Sequence, residues 1–170
     1  TWNVNSVRAR AQRVTEFLVR TQVDVLAMQE IKCKPEQFPV EAFEAIGYKI
    51  ISHGLNQWNG VAFAYKDHLE ATDIETSFDQ QPEFKDIQEA RALAATFNGV
   101  RIWSLYVPHG RGLDDPHMQY KLEFLDRLAA TTVEQLEMDP ELQIALVGDF
   151  NVAPLDEDVY DLSMFETHVS

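Results

Sequence analysis

Cysteine is nearly absent. Cys33 stands alone among 170 residues, so no disulfide can form within the chain, and a reducing, cytoplasmic setting is expected. No histidine lies near Cys33 in sequence, and it reads as an ordinary thiol rather than a nucleophile. No apolar run approaches the roughly 20 residues of a membrane-crossing helix. No basic segment followed by an apolar one marks a secretory leader. The phosphate loops G-x-G-x-x-G and G-x-x-x-x-G-K-[ST] are missing, which argues against a doubly wound nucleotide fold. H-E-x-x-H and cysteine clusters are missing too, which argues against zinc. Positive charge is absent from the last quarter: residues 128–170 carry ten acids and no Lys or Arg, in a chain of net charge −14. That balance argues at first against nucleic acid as a partner, and the acidic tail reads plainly as a solvated surface. Residues 1–34 differ, with six bases against three acids, so a phosphate-binding face remains open at the N-terminal edge.

What is present suffices for one domain with a real core: 45% of the residues are hydrophobic. The chain opens without Met inside an apolar strand, Thr1–Val4, which is expected to begin a few residues earlier. Ser6 is placed to cap a helix running to Arg20, with Val7, Ala11, Val14, Phe17 and Leu18 on one face. "DVLAMQE" (24–30) reads as a buried strand ending on Glu30. Pro39 opens a short helix closed by Gly47. "YKIIS" and "GVAFAYK" read as strands, and residues 76–90 as a loop. "RALAATF" and "VRIWSLYV" form a hairpin through Asn98-Gly99, the preferred type I′ pair. A Gly/Pro/Asp-rich loop at 107–116 precedes a helix over His117–Leu136, and "QIALVGD" is the last clear strand. Crossovers mixed with hairpins predict an α/β layered architecture of sheets covered by helices.

Polar residues sit where apolar strands end: Asn3 and Asn5, Glu30, Tyr106, then Asp149 and Asn151. A period of two sets Asn3 with Asn5, and Asp149 with Asn151, on common faces. If those ends share one edge, carboxylates and amides converge there, an oxygen-rich donor set suited to Mg2+. Taken singly, each has a plain alternative. Glu30, Asp149 and Asn3 serve equally as caps or turn residues, Tyr106 as a half-buried sheet tyrosine, and Arg91 as a solvated strand start.

The segments "TWNVNSVRAR", "DVLAMQEIKC", "WNGVAFAYK", "EARALAATFNGVRIWSLYVPHGR" and "LVGDFNVAP" resemble the exodeoxyribonuclease III family of the endonuclease/exonuclease/phosphatase superfamily, over nearly the whole chain and in the family's order. The resemblance implies a four-layered α/β sandwich of the pancreatic-deoxyribonuclease-like type. It implies Mg2+- or Mn2+-dependent hydrolysis of DNA phosphodiesters, with 3′-to-5′ exonuclease action on double-stranded DNA and cleavage of abasic-site DNA in base-excision repair, by a monomer when complete. By residue, it implies metal binding at Asn3, Glu30, Asp149 and Asn151. Tyr106 would meet the reacting phosphate, Asp149 would serve proton transfer, and Asn151 would hold the transition state. Asn5, Arg8, Trp58, Asn59, Arg91, His109 and Arg111 would face DNA. "YVPHG" departs from the family by placing His109 where an amide is usual. Members of the family also continue further, through Gly-x-Arg-Ile-Asp and Ser-Asp-His segments that supply two more Asp and a His. Neither occurs here, and His168 in "ETHVS" stands near the expected boundary. Residues 1–170 are therefore expected to form a single domain of this kind with its C-terminal part missing, catalytically incomplete alone. A non-catalytic DNA- or protein-binding remnant is the alternative. A phosphoinositide or sphingomyelin phosphatase of the same superfamily is disfavoured by "WNVNSVRAR" and "YVPHGR".

Overall fold

The computed structural model describes residues 1–160; His168 lies outside the described residues. Among the described residues eight strands and three α-helices follow in the order β1 (Trp2–Asn3), α1 (Val7–Thr21), β2 (Val25–Gln29), α2 (Val40–Glu44), β3 (Tyr48–His53), β4 (Val61–Lys66), β5 (Ala71–Glu75), β6 (Ala92–Phe97), β7 (Val100–Tyr106), α3 (Pro116–Met138) and β8 (Gln143–Asp149). They build two four-stranded sheets, ordered β1-β2-β4-β3 and β5-β6-β7-β8.

Strand alternation sorts the apolar side chains into three separate layers of contact. In the first, Leu26 and Met28 of β2 and Ala62 and Ala64 of β4 meet Val7, Val14 and Leu18 of α1 and Phe43 of α2. In the second, Ala27, Phe63 and Tyr65 on the opposite face of those strands meet Leu93, Ala95 and Phe97 of β6. In the third, Ala92, Ala94, Trp103 and Leu105 pack on Phe124 and Leu128 of α3. Helices, sheet, sheet and helix therefore stack as a four-layered sandwich, as the resemblance implies.

The structure corrects three local expectations. Ser6 occupies the position before α1, but its side chain makes no capping hydrogen bond and its φ is 84°. Strand β5 was unanticipated. It is a solvent-facing edge strand, bulged between Thr72 and Glu75, and so lacks the apolar alternation that marks buried strands. The period-two placement of Asn3 with Asn5, and of Asp149 with Asn151, also fails. Each strand ends at its first residue of the pair, and the second turns away with left-handed backbone, φ 41° at Asn5 and 49° at Asn151. The Asn98-Gly99 hairpin forms as expected, with both residues at positive φ.

Candidate active site

The ends of β1 and β2 in one sheet, and of β7 and β8 in the other, lie together. Asn3 is in register with Gln29 on parallel strands, and Tyr106 with Asp149. The Asn3 amide nitrogen donates to Glu30 Oε1 at 2.8 Å and to Asp149 Oδ2 at 2.7 Å, bridging carboxylates from both sheets. Strand alternation alone would send Glu30 to the helix-covered face. Its left-handed φ of 52° ends the strand and turns the carboxylate back toward Asn3.

Two matching Asx turns frame this meeting point. The backbone N–H of Asn5 donates to Asn3 Oδ1 at 3.0 Å, and that of Asn151 to Asp149 Oδ1 at 3.0 Å. Side-chain oxygens thereby satisfy the backbone as the strands stop, and the carboxylate and amide groups are held in fixed rotamers. Asn5, Ser6, Glu30, Lys32 and Asn151 all have positive φ, a concentration of costly non-glycine backbone around one point. The Asn151 amide nitrogen donates to Val107 O at 2.9 Å, which uses one of its two hydrogens.

Two lysines that the sequence reading passed over complete the surroundings. Lys32 pairs with Glu30 Oε2 at 2.7 Å and donates to Asn5 Oδ1 at 2.6 Å. Lys121, only 4% exposed, reaches from α3 to donate to Asn151 O at 2.5 Å. Lys32 stands in the segment "DVLAMQEIKC". Lys121 had a signal of its own: a charged residue on the α3 face that carries Phe124 and Leu128.

Burial opposes ionisation of Glu30, but hydrogen bonds from Asn3 and Lys32 and the Lys32 charge outweigh it, and its pKa falls below the usual 4.5. Burial, followed by the neighbouring Glu30 carboxylate, pushes Tyr106 up to about 12, so its hydroxyl keeps its proton. Burial lowers the Lys121 pKa, and Asp149 partly restores it.

Among the residues expected to face DNA, Asn5, Arg8, Trp58, His109 and Arg111 are exposed. Trp58 is 71% exposed at the tip of the β3–β4 loop. Arg91 and Asn59 are placed otherwise. Arg91 is buried, pairs with Glu89 at 2.6 Å, donates to Tyr106 O at 3.2 Å and stacks 4.8 Å from the Tyr106 ring. Asn59 is buried with its amide nitrogen 3.4 Å from Glu89. In this arrangement Arg91 braces Tyr106, and Glu89 links Arg91 to Asn59.

Among the described residues no three His, Cys, Asp or Glu side chains gather as a metal cage. Glu30 and Asp149, both within hydrogen-bond distance of one Asn3 nitrogen, give instead two carboxylates and an amide. This fits Mg2+, which takes one or two carboxylates and completes its octahedron with water and substrate phosphate.

The fold and site define a two-sheet α/β sandwich whose strand ends bring two carboxylates and two amides together. The family model described as the endonuclease/exonuclease/phosphatase family matches residues 1–168, and the chain belongs to that family. It is 29% identical over 160 residues to exodeoxyribonuclease III of Haemophilus influenzae, covering 93% of this chain and 58% of that protein. Its structure is similar to that of a 3′ phosphatase from Neisseria bound to a product DNA hairpin, with TM-score 0.86 and 32% identity, covering 98% of this chain and 63% of that one. An AP endonuclease from Archaeoglobus fulgidus gives TM-score 0.83 and 33% identity, covering 98% and 62%. The chain thus spans 58–63% of the length of these relatives.

Proposed function

We propose that this chain carries the metal- and phosphate-holding part of a divalent-metal-dependent DNA phosphodiester hydrolase, a 3′-to-5′ exodeoxyribonuclease and abasic-site endonuclease of base-excision repair. The observation that carries the reading is the Asn3 amide bridging Glu30 and Asp149 between the two sheets. Asn3, Glu30 and Asp149, with Asn151 beside them, would hold Mg2+ or Mn2+, which when bound offsets phosphate charge and acidifies water. The other contributions belong to the chain. Tyr106, kept protonated, donates to a phosphate oxygen. The second amide hydrogen of Asn151 meets charge developing in the transition state. Asp149, fixed by Asn3 and the Asn151 N–H, positions the nucleophile and takes part in proton transfer. Asn5, Arg8, Trp58, His109 and Arg111 present the exposed contacts for double-stranded and abasic-site DNA.

The relatives' greater length supports a further part of the reading: residues 1–170 by themselves hold cation and phosphate but turn over little, because residues acting as one catalytic unit are strongly non-additive. A cytoplasmic setting, and a monomer for the complete protein, round out the proposal. The single cysteine, buried and unpaired, accords with a reducing compartment. Among the described residues no helix is long and apolar enough to cross a membrane.

The test is calorimetric titration with Mn2+, followed by digestion of end-labelled duplex, abasic duplex and phosphoinositide by this chain and by a version extended with a relative's C-terminal part. Metal binding by both, with Mg2+-dependent DNA cleavage by the extended version alone, is expected. Absence of metal binding would sink the reading of the site. Phosphoinositide hydrolysis without DNA cleavage would replace the substrate. Robust cleavage by the short chain would refute its incompleteness.

A further inference from the structure

The proposed site is divided between two sheets, and the contact layer between those sheets is mostly apolar: Ala27, Val61, Phe63, Leu93, Ala95 and Phe97. Apolar burial is non-directional, so it holds the sheets together without fixing how far one slides over the other. Besides the Asn3–Asp149 bond within the site, a second directional link crosses the layer next to it. Gln29, 1% exposed, donates from Nε2 to Ser104 Oγ at 3.0 Å, and Ser104, fully buried, donates its only proton to Met28 O at 3.2 Å. Gln29 Oε1 accepts from Thr1 Oγ1 at 3.1 Å. Every proton in this chain of bonds has one direction, and Thr1, Gln29 and Ser104 lie within two residues of Asn3, Glu30 and Tyr106 respectively. Ser104 is also in register with Val147, two residues before Asp149.

On the reading of the site given above, we infer that Gln29 and Ser104 are positioning residues, whose hydrogen bond sets the registry of the two sheets and thereby the approach of Glu30 to Asp149. Two polar side chains buried in an apolar layer are costly unless paired, so the pair has one favourable arrangement. Slippage of either sheet breaks it. Neither residue is among those proposed to hold the metal or the phosphate. Their effect passes through the strand ends.

The experiment compares the 170-residue chain with Ser104→Ala, Gln29→Met and the double variant. Val14→Ala, in the helix-facing layer, serves as a control for general loss of stability. Two readouts are taken: Mn2+ affinity by calorimetry, and the side-chain amide resonances of Asn3 by 15N NMR without metal. Ser104→Ala is expected to weaken Mn2+ binding about tenfold, as for other supporting partners of metal ligands, and to shift and broaden the Asn3 amide signals. The double variant should be no worse than the worse single, because the two act as one unit. Val14→Ala should lower Tm but leave both readouts near wild type. If Ser104→Ala fails to fold, Gln29→Met breaks the same bond from the other side with a side chain of similar length. Unchanged Asn3 resonances in the folded variant would overturn the inference, as would equal losses in Val14→Ala. If the wild-type chain binds no Mn2+, the proposed function falls, and the Asn3 amide still decides the registry.

Discussion

Glu30 departs most from what its place in the strand would give. Its carboxylate accepts from Asn3 and pairs with Lys32, and its pKa is depressed below 4.5. A depressed carboxylate contributes stability above its unfolded pKa and loses that contribution as pH falls through the lower, folded value. Glu30→Gln should therefore flatten the stability profile below pH 4.5, measured by urea titration at several pH values. It should also weaken Mn2+ binding strongly, because an amide supplies an oxygen without the charge. Unchanged affinity would remove Glu30 from the site. Asp149→Asn should lower single-turnover rates in an extended, active protein far more than DNA affinity. Asn151→Ala should lose a donor worth about 3 kcal/mol in the transition state. Wild-type rates in both variants would reduce "GDFN" to a turn. The types and positions of these residues were legible as polar strand ends. Their rotation was not, because a left-handed φ at a non-glycine residue leaves no mark in apolar periodicity. Lys121 was hidden for a different reason: its partner is a backbone carbonyl thirty residues away in sequence.

Among the elements, β8 carries the tightest constraint. Gly148, one residue before Asp149, has φ 151°, and a Cβ there would lie 1.9 Å from Leu105 O, a backbone atom that cannot yield as a side chain tip does. Gly99, in the hairpin turn, also has positive φ, but a Cβ added there meets nothing within 4 Å. Gly148→Ala should therefore cost more than the roughly 1 kcal/mol expected of Gly99→Ala, by several kcal/mol through disruption of β7–β8 pairing. Denaturation midpoints compare them directly, and equal costs would show that β8 can shift. The long elements were legible because each buries one face in a period its sequence displays: α1 through Val7, Val14 and Leu18, and β2 through Leu26 and Met28. β5 was not, since an edge strand such as "ATDIE" exposes most of its side chains and is held by backbone pairing with β6.

For the whole molecule, the proposed function makes charge the factor that would set how a duplex approaches. The exposed Arg8 and Arg111 would attract a phosphate backbone, whereas the exposed acids of α3 and the turn after it, such as Glu134, Glu137 and Asp139, would repel it. Duplex affinity should therefore fall as salt rises through counterion release, and Arg8→Ala or Arg111→Ala should each make that slope shallower by about one unit. Salt-independent binding would contradict a phosphate-led encounter. The four layers could be anticipated from the resemblance, but the way the sheets share the site could not. No sequence period reports that Asn3 and Asp149, 146 residues apart, are joined by one amide.

Because that junction spans two sheets, the cation proposed to bind there would act as a thermodynamic rivet. Whatever binds the folded state alone raises its stability by RT ln(1 + [L]/Kd), about 2.7 kcal/mol at a hundredfold excess over Kd. Mn2+ should therefore raise the unfolding temperature of this chain in step with the logarithm of its concentration. The same linkage runs in reverse: urea or heat that loosens the sheets must weaken the cation's hold by an equal free energy. Scanning calorimetry across Mn2+ concentrations reads both directions, and an unfolding temperature indifferent to the ion would mean that the two sheets do not close on it together.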